Sequence, residues 1–285
     1  MTLTHENYYG QQANWAYMSK SQFSSWQKCE AATLAELEGT YTRPASNALA
    51  VGSYVDAALD GPEAFAEFVK EHPEIFKKDG SPKADFVMAQ DMVDRIKQDR
   101  LMSMLLTGEK QAILKGEIAG VPFRGKADCI VSPEQCRAIM KEFPETEEVL
   151  GSIFTEGAIV DLKTARDFAP VWSDEEGRKV SWIEHWGYVL QGAIYRELYR
   201  QMYGKTLPFI IVAVSKEAGN GITALYIPHG EMDAALHIVE ENAPIYSQVK
   251  AGLREPIRCE DCEYCRRTRV LTGIRNYKED YYGIE

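Results

Sequence analysis

Two aspartates at strand-like segments are the residues of this chain best suited to chemistry. Asp128 interrupts the strand-like run at residues 123–131, and Asp161 and Lys163 close the apolar run at residues 158–160. Because side chains two apart on a strand share a face, Lys163 is expected to point into the same site as Asp161. Carboxylates of this kind can hold divalent cations that activate water and stabilise a phosphate under attack. The pattern predicts a phosphodiester-hydrolysing site, although most Asp-x-Lys tripeptides are solvated surface pairs.

A polar pair on the following helix is expected to support these acids. Gln191 and Tyr195 are four residues apart and therefore share a helix face. An amide and a phenol can grip a phosphate or hold a metal ligand in place. The same helix is crowded with aromatic residues, which favours a buried, purely structural Tyr195. These aromatic residues are Trp182, Trp186, Tyr188 and Tyr199.

A third carboxylate ligand is predicted from the N-terminal helices. Asp56 lies in a small-residue, apolar helical segment, residues 51–59, where an acid is out of place. Glu117, on a predicted strand, is the alternative third ligand, and an exposed edge-strand charge is the simpler interpretation of it.

Four cysteines form a candidate metal site. Cys259, Cys262 and Cys265 are separated by two-residue gaps, which is typical of thiolate sites for a metal or a cluster. A complete site requires a fourth thiolate, and Cys29 is the expected donor. The alternative is that Cys29 is buried in a helix and the other three are unligated. Cys129 and Cys136 are interpreted as ordinary cysteines.

Charge and composition limit the classes of function. The chain has 285 residues and a formal net charge of −11, which argues against a protein that coats DNA stoichiometrically. A DNA channel would have to be local or assembled by oligomerisation. Basic residues near the motifs are candidate phosphate contacts. These residues are Arg124, Lys126, Arg166, Arg266, Arg267 and Arg269.

The protein is expected to be soluble and cytoplasmic. Residues 1–10 are polar and lack the apolar core of a signal peptide. No apolar run approaches the roughly 18 residues that span a bilayer, so no membrane association is expected.

The predicted fold is a single α/β domain with a mixed central sheet flanked by helices. Residues 1–108 are predicted to be mainly helical, residues 109–230 to form the core, and residues 231–285 to form a helix and the cysteine-containing tail. Long helices are expected at 19–39, 84–106 and 181–203, and residues 142–148 are expected to be a solvated linker. Strands are expected at 111–118, 121–132, 157–163, 208–215 and 222–227.

Together, residues 123–128, 159–164 and 188–195 resemble the PD-(D/E)XK nuclease superfamily, and within it the RecB-like exonucleases with a Gln-x-x-x-Tyr helix. Residues 51–56 further resemble the first motif of RecE-type exodeoxyribonuclease VIII proteins of phages and prophages. The resemblance implies a restriction-endonuclease-like core and Mg²⁺ or Mn²⁺ held by Asp56, Asp128 and Asp161. It implies degradation of linear duplex DNA from a 5′ end, a ring of subunits and a single-strand annealing partner. The RecE pattern usually carries histidine at the position of Asp56. Aspartate is a good ligand for a hard metal ion.

The cysteine pattern is similar to the iron–sulfur staple of AddB-type and CRISPR-adaptation nucleases. That resemblance implies a 4Fe–4S cluster on Cys29, Cys259, Cys262 and Cys265, with zinc as the alternative because the last gap is shorter than in that group. Two other functions remain open: an iron–sulfur nuclease that trims single strands or overhangs, and a non-catalytic DNA- or partner-binding module.

Overall fold

A five-stranded mixed sheet forms the centre of the protein. The computed structural model describes residues 1–44, 47–174, 176–274 and 276–278. The strands are β1 (Glu109–Ile118), β2 (Val121–Val131), β3 (Ala158–Ala165), β4 (Val171–Ser173), β5 (Arg178–Val180), β6 (Phe209–Ser215) and β7 (Ile222–Ile227). The sheet order is β1-β2-β3-β6-β7, and only the β3–β6 pair is parallel. The predicted mixed α/β fold is confirmed.

The hairpin between β1 and β2 fixes the register of the edge strands. Ala119 and Gly120 both have positive φ angles, 50° and 76°, as a tight two-residue turn between twisted strands requires. Ile118 therefore pairs with Val121, and the ladder runs back from the turn to Glu109. The turn at Gly120 is as predicted.

Helices cover both faces of the sheet. They are α1 (Gln11–Ala16), α2 (Lys20–Lys28), α3 (Glu30–Leu37), α4 (Asn47–Asp60), α5 (Pro62–Glu71), α6 (Ala84–Gln98), α7 (Arg100–Leu105), α8 (Pro133–Glu142), α9 (Pro144–Leu150), α10 (Trp182–His185), α11 (Tyr188–Tyr203), α12 (His229–Lys250) and α13 (Glu263–Arg267), with short 3₁₀ helices at Pro73–Ile75 and Gly151–Phe154. One hydrophobic core joins the sheet to α2, α11 and α12, and a second joins it to α4, α6, α7 and α8. No helix among the described residues is long and apolar enough to cross a bilayer.

Three helices that the sequence predicts as continuous are each broken by a residue that caps a new helix. Cys29 and Asp99 are extended, and their side chains accept hydrogen bonds from the backbone N–H groups of Ala32 and Met102. Gly187 adopts a left-handed conformation, with φ of 65°, before α11. Helical periodicity continues across all three positions, so the pattern alone does not reveal the breaks.

One further prediction about the elements is wrong, and one element was not predicted. The acidic stretch at 142–148 is largely helix α9, which begins at Pro144 and buries Leu150. The small hairpin β4–β5, with its three-residue strands, was not predicted.

Candidate active site

The two strand aspartates face each other where the β2–β3 ladder ends. The backbone pairs run Val131–Ala158, Ile130–Ile159 and Cys129–Val160, so the next position in register brings Asp128 opposite Asp161. There the carboxylate Oδ2 of Asp128 accepts a hydrogen bond of 2.8 Å from the backbone N–H of Leu162. The Asp128 side chain thus accepts a backbone hydrogen bond from β3 at the point where the backbone pairing of β2 and β3 ends. The two carboxylates lie at this end of the ladder.

Asp161 is held on both oxygens. Its side chain is 1% exposed, and its Oδ1 accepts a hydrogen bond of 2.6 Å from Gln191 Nε2. Its Oδ2 forms an ion pair with Lys163 Nζ but accepts no directed hydrogen bond from the described residues. Because a buried carboxylate is costly without partners, these contacts fix its orientation and leave Oδ2 lone pairs for a further ligand.

Asp56, the predicted third ligand, lies beside these residues on α4. The helix packs against the end of β3 so closely that a Cβ on Gly52 would lie 3.6 Å from Thr164 Oγ1. Asp56, one turn later, lines the same cleft as Lys163. Glu117 does not join them: it is exposed at the hairpin end of β1, six residues along the strand from Gln111, which lies opposite Asp128. That separation is roughly 20 Å at the usual rise of a strand.

The site carries more negative charge than its lysine neutralises. Burial, followed by repulsion from Asp161, raises the pKa of Asp56 to about 7. Burial, Asp161 and Asp56 likewise raise the pKa of Asp128 well above its usual range. Burial alone would lower the pKa of Lys163, but the attraction of Asp161 and Asp128 prevails and raises it. Three carboxylates crowded around one ammonium fit a hard divalent cation such as Mg²⁺ or Mn²⁺.

The side chain of Tyr195 packs against β2 beside the site. Its ring covers Gly125, where an added Cβ would be 2.7 Å from the ring carbon Cε1. The ring also meets Phe209 edge-on at 6.2 Å. Burial raises the pKa of Tyr195 well above its usual range. Tyr195 thus fixes the strand that presents Asp128.

Two residues at the site were not predicted. Gln111, opposite Asp128, has a positive φ of 54°, and the regular pairing of β1 is interrupted there. Glutamine is not a residue that signals this backbone conformation. Lys20, the first residue of α2, donates a hydrogen bond of 3.0 Å to the carbonyl of Trp186. It is close enough to Lys163 that burial, with repulsion from Lys163, lowers the pKa of Lys20 to about 8.

A cleft of about 630 Å³ opens beside the acids. It contains Asp56 and Lys163, two further basic residues, Arg166 and Lys216, and an aromatic wall. Arg124, which was predicted to contact DNA, is instead 3% exposed and stacks on the Tyr8 ring at 4.7 Å. That prediction is wrong because the N-terminal segment covers this part of β2.

The four predicted cysteines meet at one point. The sulfur atoms of Cys29, Cys259, Cys262 and Cys265 all lie within 4.8 Å of one another. The Sγ atoms of Cys29 and Cys265 are 3.6 Å apart, and those of Cys259 and Cys265 are 3.9 Å apart. Cys129 and Cys136 are buried elsewhere in the core, as expected.

Backbone N–H groups point at the thiols. Ala32 donates to Cys29 Sγ at 3.4 Å, Cys262 donates to Cys259 Sγ at 3.3 Å, and Cys265 donates to Cys262 Sγ at 3.4 Å. Burial acts to raise the pKa of Cys259, but backbone hydrogen bonds lower it to about 7. Such donors stabilise thiolates, the form that binds a metal.

The fold and the opposed acids with their lysine define the class of protein, a PD-(D/E)XK-type nuclease. A family model described as a PDDEXK-like domain of unknown function (DUF3799) matches residues 19–145 and 151–268, and the chain belongs to this family. Its structure is similar to the crystal structure of a "Putative exonuclease" from Eubacterium rectale. The TM-score is 0.84 and the identity 34%, over 100% of both chains. No curated protein matches the chain. The predicted superfamily is confirmed, and a nuclease is the supported class of enzyme.

Proposed function

We propose that this protein is a metal-dependent exodeoxyribonuclease that processes the ends of linear DNA. The observation that carries the proposal is the convergence of Asp56, Asp128 and Asp161 on Lys163 at the point where β2 and β3 separate. Paired acids with excess negative charge and an adjacent ammonium suit metal-assisted phosphodiester hydrolysis. The name of the similar Eubacterium rectale protein supports an exonuclease in particular.

Each residue has a role in this proposal. Asp56, Asp128 and Asp161 would hold Mg²⁺ or Mn²⁺, which when bound supplies an activated water and stabilises negative charge on the phosphate. Lys163 orients the attacking water or the phosphate, because its ammonium is fixed against Asp161. Gln191 keeps the Asp161 carboxylate in its binding orientation, and Tyr195 keeps β2 in place.

The biological setting is part of the proposal and follows the RecE resemblance. The enzyme would resect duplex ends in phage-type recombination, with an annealing protein as partner and subunits assembled in a ring. An overhang-trimming nuclease and a non-catalytic DNA-binding module are the alternatives. Digestion of linear duplexes labelled at the 5′ or the 3′ end, beside a closed circular duplex, distinguishes them by end requirement and polarity.

Substitution of the site residues tests the mechanism. We expect Asp161→Asn and Lys163→Ala to lower the rate of Mg²⁺-dependent degradation at least about 100-fold with folding retained, because each removes charge or metal ligation at the reacting phosphate. Gln191→Ala should lose about 10- to 100-fold, as is typical of groups that orient metal ligands. Lys205→Ala, at a surface ion pair with Glu156, is the matched control and should keep wild-type activity. Full activity of Asp161→Asn or Lys163→Ala would refute the assignment.

We also propose that the four cysteines hold one structural metal centre. The sulfur separations of 3.6 and 3.9 Å resemble the edge of about 3.8 Å expected for a tetrahedron around one zinc ion with bonds of about 2.3 Å. The family resemblance instead implies a 4Fe–4S cluster, which is larger and requires the sulfurs to move apart. Metal analysis of protein purified without oxygen separates one zinc from four irons with acid-labile sulfide. The proposal would be contradicted if the protein contained neither zinc nor iron at a stoichiometric level.

A further inference from the structure

An exposed tryptophan stands at the edge of the catalytic cleft. Trp186 is 57% exposed although its sequence neighbourhood predicts a buried aromatic stripe, and nearby Trp182 is indeed buried. Trp186 lies between α10 and α11, just before Gly187, whose left-handed conformation turns the chain. It lines the cleft that contains Lys163.

The backbone beneath this side chain is fixed. The Trp186 carbonyl accepts the hydrogen bond from Lys20 Nζ, and its N–H donates to the Trp182 carbonyl at 3.2 Å. His185 meets the indole edge-on at 4.8 Å. The indole is therefore presented to solvent by a rigid turn.

The cleft beside the indole contains basic side chains as well as the acids Asp56 and Asp167. Lys163, Arg166 and Lys216 line it, and Lys20 lies directly beneath the turn. Aromatic faces combined with cations that follow a backbone are the features by which proteins bind unpaired nucleic acid without reading its sequence.

The cleft has room for a nucleotide of an unpaired strand. Its volume of about 630 Å³ lies in the range of pockets that hold small molecules. In an unpaired strand, the bases lack the stacking partners that they have in a duplex. An exposed indole in the cleft can replace that stacking.

We propose that Trp186 is a stacking platform for an unpaired nucleotide next to the scissile phosphate, so that the site takes single-stranded or frayed DNA ends. This inference rests on the proposed nuclease function for the identity of the ligand as DNA. It assigns the residue that holds the strand and does not depend on cleavage.

Binding measured without cleavage tests the platform. With EDTA present, we expect Trp186→Ala to weaken binding of a fluorescent oligo(dT) about tenfold, which is ~1.4 kcal/mol. Trp186→Phe should retain most of the affinity. Trp172 is equally exposed, at 56%, but does not line the cleft, so Trp172→Ala is the matched control and should bind as the wild type does.

An oligonucleotide with abasic sites separates stacking from a structural effect. If Trp186 stacks on a base, removing the bases should abolish the difference between wild type and Trp186→Ala. An equal loss on both oligonucleotides, or wild-type affinity in Trp186→Ala, would overturn the inference. A protein that binds in this Trp186-dependent manner yet never cleaves DNA would refute the nuclease proposal and leave the platform standing.

Discussion

At the scale of single residues, the site contains three carboxyl groups and one lysine, which cannot neutralise all three. Asp161 is oriented by Gln191 and paired with Lys163, while Asp56 and Asp128 have pKa values raised by burial and by their neighbours. The metal-free protein therefore takes up protons near neutral pH at positions where a divalent cation would otherwise supply the positive charge.

This imbalance of charge predicts how stability depends on pH. With a pKa of about 7 in the folded protein and roughly 3.9 when unfolded, Asp56 binds a proton that the unfolded chain has released between those values. The stabilisation is therefore fully present below about pH 4 and is lost as the pH rises through about 7. Without metal, we expect Asp56→Asn to flatten the fall of the melting temperature between pH 5 and 7.5.

The matched control is Asp91→Asn, an exposed position on α6, which should leave that slope unchanged. Because metal ligands must be deprotonated, added Mg²⁺ should raise the melting temperature of the wild type more at pH 8 than at pH 6. The same slope in Asp56→Asn and wild type would contradict the assignment of Asp56 to this cluster.

At the scale of elements, the site depends on the close approach of α11 to the strands β2 and β6. Gly125 provides the clearance under the Tyr195 ring, and Gly192 provides it against Phe209, where an added Cβ would lie 2.7 Å from Cδ1. The spacing of Gln191 and Tyr195 on α11 therefore serves two purposes. One side chain holds Asp161, and the other holds the strand of Asp128.

Gly125→Ala tests this clearance. The added methyl group would force the Tyr195 ring or β2 to move, so we expect a loss of about 1–3 kcal/mol in the free energy of unfolding, measured by urea denaturation. Gly230→Ala is the control, because nothing lies within 4 Å of its added Cβ in α12, and it should be neutral or slightly stabilising. Equal effects of the two substitutions would show that the helix and strand are not in close contact there.

At the scale of the whole molecule, the cysteine cluster joins the two ends of the chain. Cys29 at the start of α3 meets a tail that begins more than 200 residues later. Beside it, the Ile257 N–H donates to the Glu30 carboxylate at 2.8 Å, and the Ala31 N–H donates to the Ile257 carbonyl at 3.1 Å. The cysteine cluster also lies at the C-terminal end of α2, because Cys29 caps that helix. The first residue of α2 is Lys20, which lies near the cleft.

Removal of one thiol tests the role of the cysteine cluster. We expect Cys262→Ser to lose the bound metal and to lower the melting temperature by about 10 °C, since each kcal/mol lost corresponds to roughly 2–4 °C in a chain of this size. Cys136→Ala, at a buried cysteine outside the cluster, should create a cavity yet keep the full metal content. Retention of metal by Cys262→Ser would remove that thiol from the site.

Features that depend on local pattern can be read from the sequence. Strand and helix periodicity gave the order of the main elements, and the spacings of Asp161 with Lys163 and of Gln191 with Tyr195 gave shared faces. Features that depend on contacts between distant segments are evident only in the folded protein. Folding places Asp128 opposite Asp161 through the β2–β3 register, brings Cys29 to the tail, buries Arg124 and exposes Trp186. Local pattern fixes which side a residue faces along its own element, whereas register, burial and charge at a site arise only when separate elements pack together.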